Sequence, residues 1–201
     1  QNNIEYLWLP FSNQIDSYKK DQNLYKNSLG NKIVFEEINH SLGLTFIYSW
    51  QASAEYGFIK KTKLINHSGK ETNIKLVDGL RNILPAGVGL RTQQEMSNLA
   101  NAYKVCECDA NYNYALYYMN ALLMDKPDPG ESLFSNIVWA YSQEDIRLSV
   151  NEKSISSFLS EQSFTEDRLL KGKEGNFLCY INNSLDPYDT ICWYIIADVQ
   201  K

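Results

Sequence analysis

Apolar and polar residues alternate along several stretches of this chain with the two-residue period of a β-strand. The clearest stretch is LTFIYSW, residues 44–50, where Leu44, Phe46, Tyr48 and Trp50 fall on one face. A strand with one apolar face buries that face against a second layer of the protein. The pattern therefore predicts an antiparallel β-sandwich.

Other parts of the chain repeat this alternation. Residues 1–31 are largely polar after an apolar start, and predict one strand and an irregular loop. Residues 57–66 and 72–80 flank a His-Ser-Gly-Lys turn and are predicted to form a hairpin. The last strand is apolar on both faces, which is typical of a strand covered on both sides. Further strands are predicted at residues 32–38, 105–109, 114–124, 136–142, 176–182 and 190–199.

Two segments depart from the two-residue period. In residues 92–104 apolar side chains recur at helical spacing, and Thr92 followed by Glu95 matches a capping box. The apolar residues of 149–159 also share a helical face. No low-complexity linker or internal repeat divides the chain. We therefore expect a single mostly β domain over residues 1–201, a large antiparallel β-sandwich of the supersandwich type with one or two short helices.

Charge and composition exclude several classes of partner. The formal net charge is −5 and the pI is about 5.1, so the surface repels the phosphate backbone of nucleic acids. No stretch approaches the roughly 20 apolar residues that a helix needs to span a bilayer. The chain begins at Gln1 and ends shortly after a strand, so we expect an excised part of a longer protein. Its compartment, cytoplasm or periplasm, is left open.

The four cysteines do not have the spacing of a metal site. Cys106 and Cys108 fall on one face of a predicted strand, and the other two stand alone along the chain. We expect reduced thiols that pack as small apolar side chains, and no metal or cofactor. A bridge between Cys179 and Cys192 across a hairpin stays open as an alternative.

The titratable residues show no pattern of a nucleophile, a base and an orienting group. His40 and His67 each lie between Asn and Ser at a predicted strand-to-turn junction. Glycoside hydrolysis needs two carboxylates at a defined separation. We interpret the acids of this chain instead as solvated residues at the ends of strands. We therefore expect this chain alone not to be an enzyme. The acids considered are Glu55, Asp78, Asp109 and Asp128.

The segment at residues 77–87 has the most site-like composition. Asp78, Arg81 and Asn82 lie together in a predicted loop bounded by Gly and Pro, and such groups bind sugar hydroxyls or a carboxylate. Alternatively, Asp78 and Arg81 pair with each other and hold the loop against the body of the protein.

The aromatic residues near the start of the first strand of the predicted hairpin allow two interpretations. Trp50, Tyr56 and Phe58 form either a sugar-stacking platform or part of the core, and alternating aromatics on a strand favour the core. The adjacent Lys60 and Lys61 are interpreted as a solvated strand end.

Four runs of the sequence resemble a known group of proteins. They are YGFIKKTKLINHSGKETNIKLVDGLRNILPAGV, SNLANAYK, CECD and WYIIADV. Over residues 44–199 the chain resembles the N-terminal β-sandwich region of bacterial cyclic β-1,2-glucan synthetase-like and cellobiose phosphorylase-like proteins. In that group a galactose-mutarotase-like sandwich precedes an (α/α)-barrel that carries the catalytic acid.

The resemblance implies a non-catalytic accessory domain that packs on a C-terminal catalytic domain of the same polypeptide. The parent protein would be a glycosyltransferase, a glycoside phosphorylase or a hydrolase that acts on glucans. The domain would contact an oligosaccharide, the catalytic domain or a second copy of itself. Our candidates for such contacts are Asp78, Arg81, Asn82, Trp50 and Tyr56.

The alternative function is a free-standing carbohydrate-binding module. Such a module requires exposed and coplanar aromatic side chains, on which sugar rings stack. The sequence offers Trp50, Tyr56, Tyr112, Tyr114 and Trp139 for this role.

Overall fold

A computed structural model describes residues 5–14, 17–121, 130 and 132–199. In these ranges the chain forms twelve strands and three helices. In chain order they are β1 (Lys20–Lys26), β2 (Lys32–Asn39), β3 (Leu44–Ser53), β4 (Gly57–Asn66), β5 (Thr72–Ile83), α1 (Leu90–Glu95), α2 (Ser97–Tyr103), β6 (Lys104–Asp109), β7 (Tyr114–Met119), β8 (Ser135–Ser142), β9 (Arg147–Ser149), α3 (Lys153–Glu161), β10 (Leu169–Lys171), β11 (Gly175–Leu185) and β12 (Thr190–Asp198).

The strands form two antiparallel sheets of very different width. The large sheet has nine strands in the order β1-β2-β3-β4-β12-β8-β7-β6-β10, and the small sheet has three in the order β5-β11-β9. Their facing sides share one apolar core, in which Trp193 and Ile195 of the large sheet meet Ile181 and Phe177 of the small one. The predicted mostly β, antiparallel sandwich is therefore confirmed.

The small sheet is covered on its outer side as well. Leu178 and Tyr180 of β11 form a second apolar cluster with Phe164, against which Ile155 and Phe158 of α3 pack. The ring of Phe164 stacks on that of Tyr180 with centroids 5.1 Å apart. The middle of the molecule thus has three layers, namely the large sheet, the small sheet, and α3 with the segment that follows it.

The predicted hairpin of residues 57–66 and 72–80 is wrong. Strand β4 lies in the large sheet and β5 in the small one, so the Ser-Gly turn carries the chain across the sandwich. Strands β11 and β12 are connected across the sandwich in the same way. Alternation of apolar residues identifies a buried face, but it does not say whether two strands pair side by side or pack face to face.

Asn66 holds these two crossings together. Its side chain is fully buried, and its amide nitrogen donates to the carbonyl oxygens of Lys70 at 2.8 Å and Asp186 at 3.0 Å. Its side-chain oxygen accepts hydrogen bonds from the backbone and the hydroxyl of Ser68. One side-chain amide therefore provides hydrogen-bond partners for buried polar groups of both connections.

Other expected boundaries changed for local reasons. The predicted loop at residues 77–87 begins as strand, because β5 runs to Ile83 against β11. The expected helix at 92–104 is two helices that meet at Met96, and neither has a side-chain cap, so the predicted capping box is wrong.

Some predicted ends fall elsewhere or cannot be compared. Helix α3 starts at Lys153 because Ser149 still belongs to β9. The strand predicted at 114–124 ends at Met119, and residues 122–124 lie outside the described residues. Strands β9 and β10 were not predicted, since three residues are too few to show a period.

Gly79 is required by the close approach of β5 and β11. A Cβ atom at this position would overlap the carbonyl oxygen of Phe177, at the place where the register of the two strands shifts. A backbone atom cannot move aside as a flexible side chain can. The small sheet therefore accepts only glycine here.

Replacing Gly79 with alanine is expected to destabilise the protein. We predict that Gly79→Ala lowers the free energy of unfolding by about 1–3 kcal/mol, as overpacking does in other proteins. Gly69→Ala is the control, because a Cβ there meets only the hydroxyl of Tyr188 at 3.6 Å, and it should stay within about 0.5 kcal/mol of wild type. Urea denaturation measures both, and equal effects of the two substitutions would contradict the prediction.

Candidate functional site

Part of the inner face of the large sheet remains uncovered by the small sheet. Trp50 of β3 lies directly opposite Lys60 of β4 in the strand register, so the two side chains share this face. Phe58 lies two residues before Lys60 and belongs to the same face, but 57% of its surface is exposed. Aromatic surface is therefore open to solvent beside the core.

A largely buried carboxylate of the small sheet pairs with Lys60 on this face. Asp78 extends from β5 of the small sheet and accepts a hydrogen bond from the ammonium of Lys60. Its other oxygen accepts hydrogen bonds from the Thr62 hydroxyl at 3.2 Å and the Trp193 indole at 2.8 Å. All three partners belong to the large sheet, so this one carboxylate links the two sheets.

Tyr48 connects the carboxylate to the aromatic surface. The Lys60 nitrogen lies 5.2 Å from the centroid of its ring, which stacks on Phe35 with centroids 4.7 Å apart. Phe11 of the N-terminal segment packs edge-on against Tyr48 at 5.4 Å. Burial and, after it, the charge of Asp78 raise the pKa of the Tyr48 phenol, which therefore stays protonated at neutral pH.

We call Tyr48, Trp50, Phe58, Lys60 and Asp78 the inner-face site. It combines exposed aromatic surface with a fixed ammonium and a carboxylate. Such a combination suits a ligand that has both an apolar face and hydroxyl groups.

The five candidates from the sequence do not converge on one place. Asp78 and Trp50 lie at the inner-face site, and Tyr56, 48% exposed, lies in the turn between β3 and β4 at the same end of the strands. Arg81 points away from it and pairs with Glu152 beside α3. Two residues three positions apart on a strand face opposite sides of the sheet, so Asp78 and Arg81 cannot share a ligand.

Asn82 lines a small polar cleft near the end of β5, together with Glu174 and Asn176. Its backbone has a positive φ of 54°, and its backbone nitrogen donates to the Asn176 side chain at 3.2 Å. The volume of the cleft is about 80 Å³, well below the several hundred Å³ of ordinary ligand pockets. Glu174 in its wall accepts hydrogen bonds from Lys104 and Gln93 at 3.0 and 2.7 Å. These bonds hold elements of the fold together.

Two expectations about side-chain burial were wrong. The sequence favours the core for this aromatic set, but Tyr56 in the turn before β4 and Phe58 at the start of β4 are exposed. Lys60 was interpreted as solvated, but only 7% of its surface is exposed. Side chains alternate between the two faces of β4, so Lys60 points inward together with Thr62 and Leu64. The burial of Lys60 could therefore have been predicted from its position in this alternation.

The histidines and most of the acids lie away from this site. His40, in the turn after β2, contacts Asp21 of β1 at 2.8 Å, and His67 lies in the crossing between β4 and β5. Asp128 lies outside the described residues. In the described ranges, no three His, Cys, Asp or Glu residues gather as a metal site would require. No helix in that part of the chain is long and apolar enough to cross a membrane.

All four cysteines are free thiols. Cys179 lies in β11 of the small sheet and Cys192 in β12 of the large sheet, and no bridge joins them. Cys106 and Cys108 both face the core, as predicted, and burial raises their pKa values to about 12 and about 11. They are protonated at neutral pH and act as packing residues.

Comparisons with known proteins add distant structural neighbours only. No protein-family model matches the chain, and no curated protein matches it. Heparinase III, the BT4657 gene product, is 7% identical with a TM-score of 0.42 over 91% of this chain and 22% of its own. The Slr1438 protein from Synechocystis sp. PCC 6803 is 6% identical with a TM-score of 0.43 over 89% of this chain and 65% of its own. The chain thus spans about a fifth of heparinase III.

Removing the Asp78 charge is expected to weaken the whole sandwich. In Asp78→Asn the buried Lys60 ammonium loses its counter-charge, and we predict a loss of about 3 kcal/mol or more in the free energy of unfolding. Asp21→Asn removes a carboxylate from an exposed pair and should cost less than about 1 kcal/mol. Both are measured by urea denaturation at neutral pH. A change in Asp78→Asn no larger than that in Asp21→Asn would contradict the linking role.

Proposed function

We propose that this chain is a non-catalytic accessory domain of a larger carbohydrate-active protein, and that it contacts an oligosaccharide through the inner-face site. The single observation that carries the proposal is the aromatic surface of the exposed Phe58 and the half-buried Trp50 beside the charged pair of Lys60 and Asp78.

The chemistry of a sugar fits this arrangement. A pyranose ring has an apolar face of C–H groups, which packs on an aromatic ring, and a rim of hydroxyls that donate and accept hydrogen bonds. Trp50 and Phe58 provide the rings, beside the ammonium of Lys60 and the carboxylate of Asp78, which bond to each other in the interior. Their fixed positions reduce the ordering cost of binding.

The accessory role rests on a second argument. Asp78 is engaged in hydrogen bonds that join the two sheets, and His40 and His67 lie apart from it in turns. This arrangement favours a non-catalytic domain. The sequence resembles β-sandwich regions that precede a helical barrel with the catalytic acid. We therefore infer that the parent protein is a glucan-directed glycosyltransferase, glycoside phosphorylase or hydrolase, and that its catalytic domain follows this chain.

A free-standing carbohydrate-binding module is the second candidate. Tyr114 and Trp139 lie directly opposite each other in the register of β7 and β8, on the outer face of the large sheet. Tyr112, 76% exposed, precedes them in the adjoining turn. This group is the part of the predicted platform that the fold brings together, since Trp50 lies on the other face.

Binding of β-linked gluco-oligosaccharides to the isolated chain tests the proposal. We expect titration calorimetry to give micromolar to millimolar affinity for wild type, and Trp50→Ala to weaken it at least about tenfold because the stacking surface is lost. Arg81→Ala is the matched control and should bind as wild type does, because Arg81 points to the opposite side of the small sheet.

Two results would contradict the inner-face site. Absence of binding by wild type would overturn direct sugar contact by this domain. Binding that survives Trp50→Ala but is lost in Trp139→Ala would move the site to the outer face and favour the free-standing module.

A further inference from the structure

A short part of the N-terminal segment lies across the inner face of β2 and β3. We call it, residues 7–12, the N-terminal strap. Trp8 packs against the apolar core between the sheets. The ring of Phe11 contacts Phe35 of β2 with centroids 6.1 Å apart and Tyr48 of β3 with centroids 5.4 Å apart. The strap therefore packs directly on Tyr48, which belongs to the inner-face site.

The backbone of Phe11 has a conformation that favours glycine. Its φ is 62°, and it lies in a turn in which the Ser12 backbone nitrogen donates to the carbonyl oxygen of Leu9 at 3.2 Å. Pro10 suits the preceding position of such a turn, whereas a bulky residue at positive φ is disfavoured. Unfavourable conformations of this kind persist where the surrounding contacts impose them, and they concentrate at functional sites. At Phe11 these contacts are the aromatic rings of the large sheet and one buried carboxylate.

Glu37 of β2 supplies this carboxylate and holds the N-terminal strap. Its side chain is fully buried. One oxygen accepts a hydrogen bond from the Trp8 indole at 2.6 Å, and the other accepts from the Phe11 backbone nitrogen at 2.7 Å. The second oxygen also accepts from the side chain of Gln22 at 2.6 Å. All three donors are uncharged and two belong to the strap, so release of the strap would leave a buried carboxylate short of partners, which is costly.

We propose that Glu37 is a positioning residue of the inner-face site, and that a bound oligosaccharide and the locked strap stabilise each other. Glu37 fixes the strap, and with it the Phe11 ring that contacts Tyr48. The Tyr48 ring in turn lies 5.2 Å from the Lys60 nitrogen. A ligand at this site contacts side chains that the strap holds in place, and coupling between two such events is reciprocal. The inference rests on the proposed sugar contact, but the lock can be measured without sugar.

Hydrogen exchange of the Phe11 backbone amide, measured by NMR, tests the lock. In Glu37→Gln one of the two acceptor oxygens becomes an NH2 group, which cannot accept the bonds that the strap donates. We expect this amide to exchange at least about tenfold faster than in wild type, because the strap then opens more easily. Trp8→Phe removes only the indole N–H donor and should also speed the exchange.

Glu36→Gln is the matched control for the lock. Glu36 lies next to Glu37 on β2 but faces the other side of the sheet, where it accepts a hydrogen bond from Asn23. This variant removes the same charge and should leave the exchange of the Phe11 amide unchanged. Exchange as slow in both Glu37→Gln and Trp8→Phe as in wild type would overturn the lock.

Titration calorimetry with β-linked gluco-oligosaccharides tests the coupling. We expect Glu37→Gln to bind at least about fivefold more weakly than wild type, and Glu36→Gln to bind as wild type does. Phe11→Gly keeps the backbone N–H and suits the positive φ, but it removes the ring. It should weaken binding while the amide at this position stays protected from exchange, which separates the role of the ring from that of the lock. Saturating oligosaccharide should slow the exchange of the Phe11 amide in wild type.

The outcomes distinguish this inference from the proposed function. If wild type binds the oligosaccharide and Glu37→Gln binds it equally well despite faster exchange, the coupling is overturned and the proposed function stands. If wild type binds no oligosaccharide, the proposed function fails, and the role of Glu37 in binding fails with it.

Discussion

The Asp78 carboxylate fixes how the two sheets lie on each other. It is held by a charge from Lys60, a hydroxyl from Thr62 and the indole of Trp193, which belong to two neighbouring strands of the large sheet. A buried charge must keep its partner, since breaking the pair leaves an uncompensated ion in the interior. Sliding the small sheet by one residue would separate all three bonds. The apolar core gives the sheets their attraction, and Asp78 gives them their register.

That register decides which side chains are left uncovered. Three strands cannot cover nine, so the inner face of the large sheet continues past the small sheet toward β1. The N-terminal segment covers part of this uncovered face. The Trp8 indole and the Phe11 backbone donate hydrogen bonds to the buried Glu37 at 2.6 and 2.7 Å. Phe58 stays exposed on this face, and Trp50 stays half-buried. The inner-face site is therefore a consequence of the unequal width of the sheets.

Much of this fold could be predicted from local pattern alone. Residues 57–66 coincide with β4, and 44–50 lie within β3, because alternation over many positions defines a strand and its buried face. Pairing could not be predicted in this way, so the connection from β4 to β5 was mistaken for a hairpin. The candidate site shows the same division. Asp78 and Trp50 were identified by residue type, but the grouping of Asp78 with Arg81 ignored the strand parity that sends them to opposite faces.

Lys60 shows why charge is a poor guide to exposure in such a sandwich. Lys60 directly precedes Lys61 on β4, and the two side chains lie on opposite faces of the sheet. The Lys60 ammonium pairs with Asp78 in the interior, and the Lys61 ammonium lies 5.1 Å from the ring of Tyr194 on the outer face. A hydrogen bond with Tyr194 raises the pKa of Lys61, which keeps that side chain charged. Adjacent residues on one strand thus supply one cation to each face. The same strand that holds the two sheets together therefore also places a cation on the outer face of the large sheet.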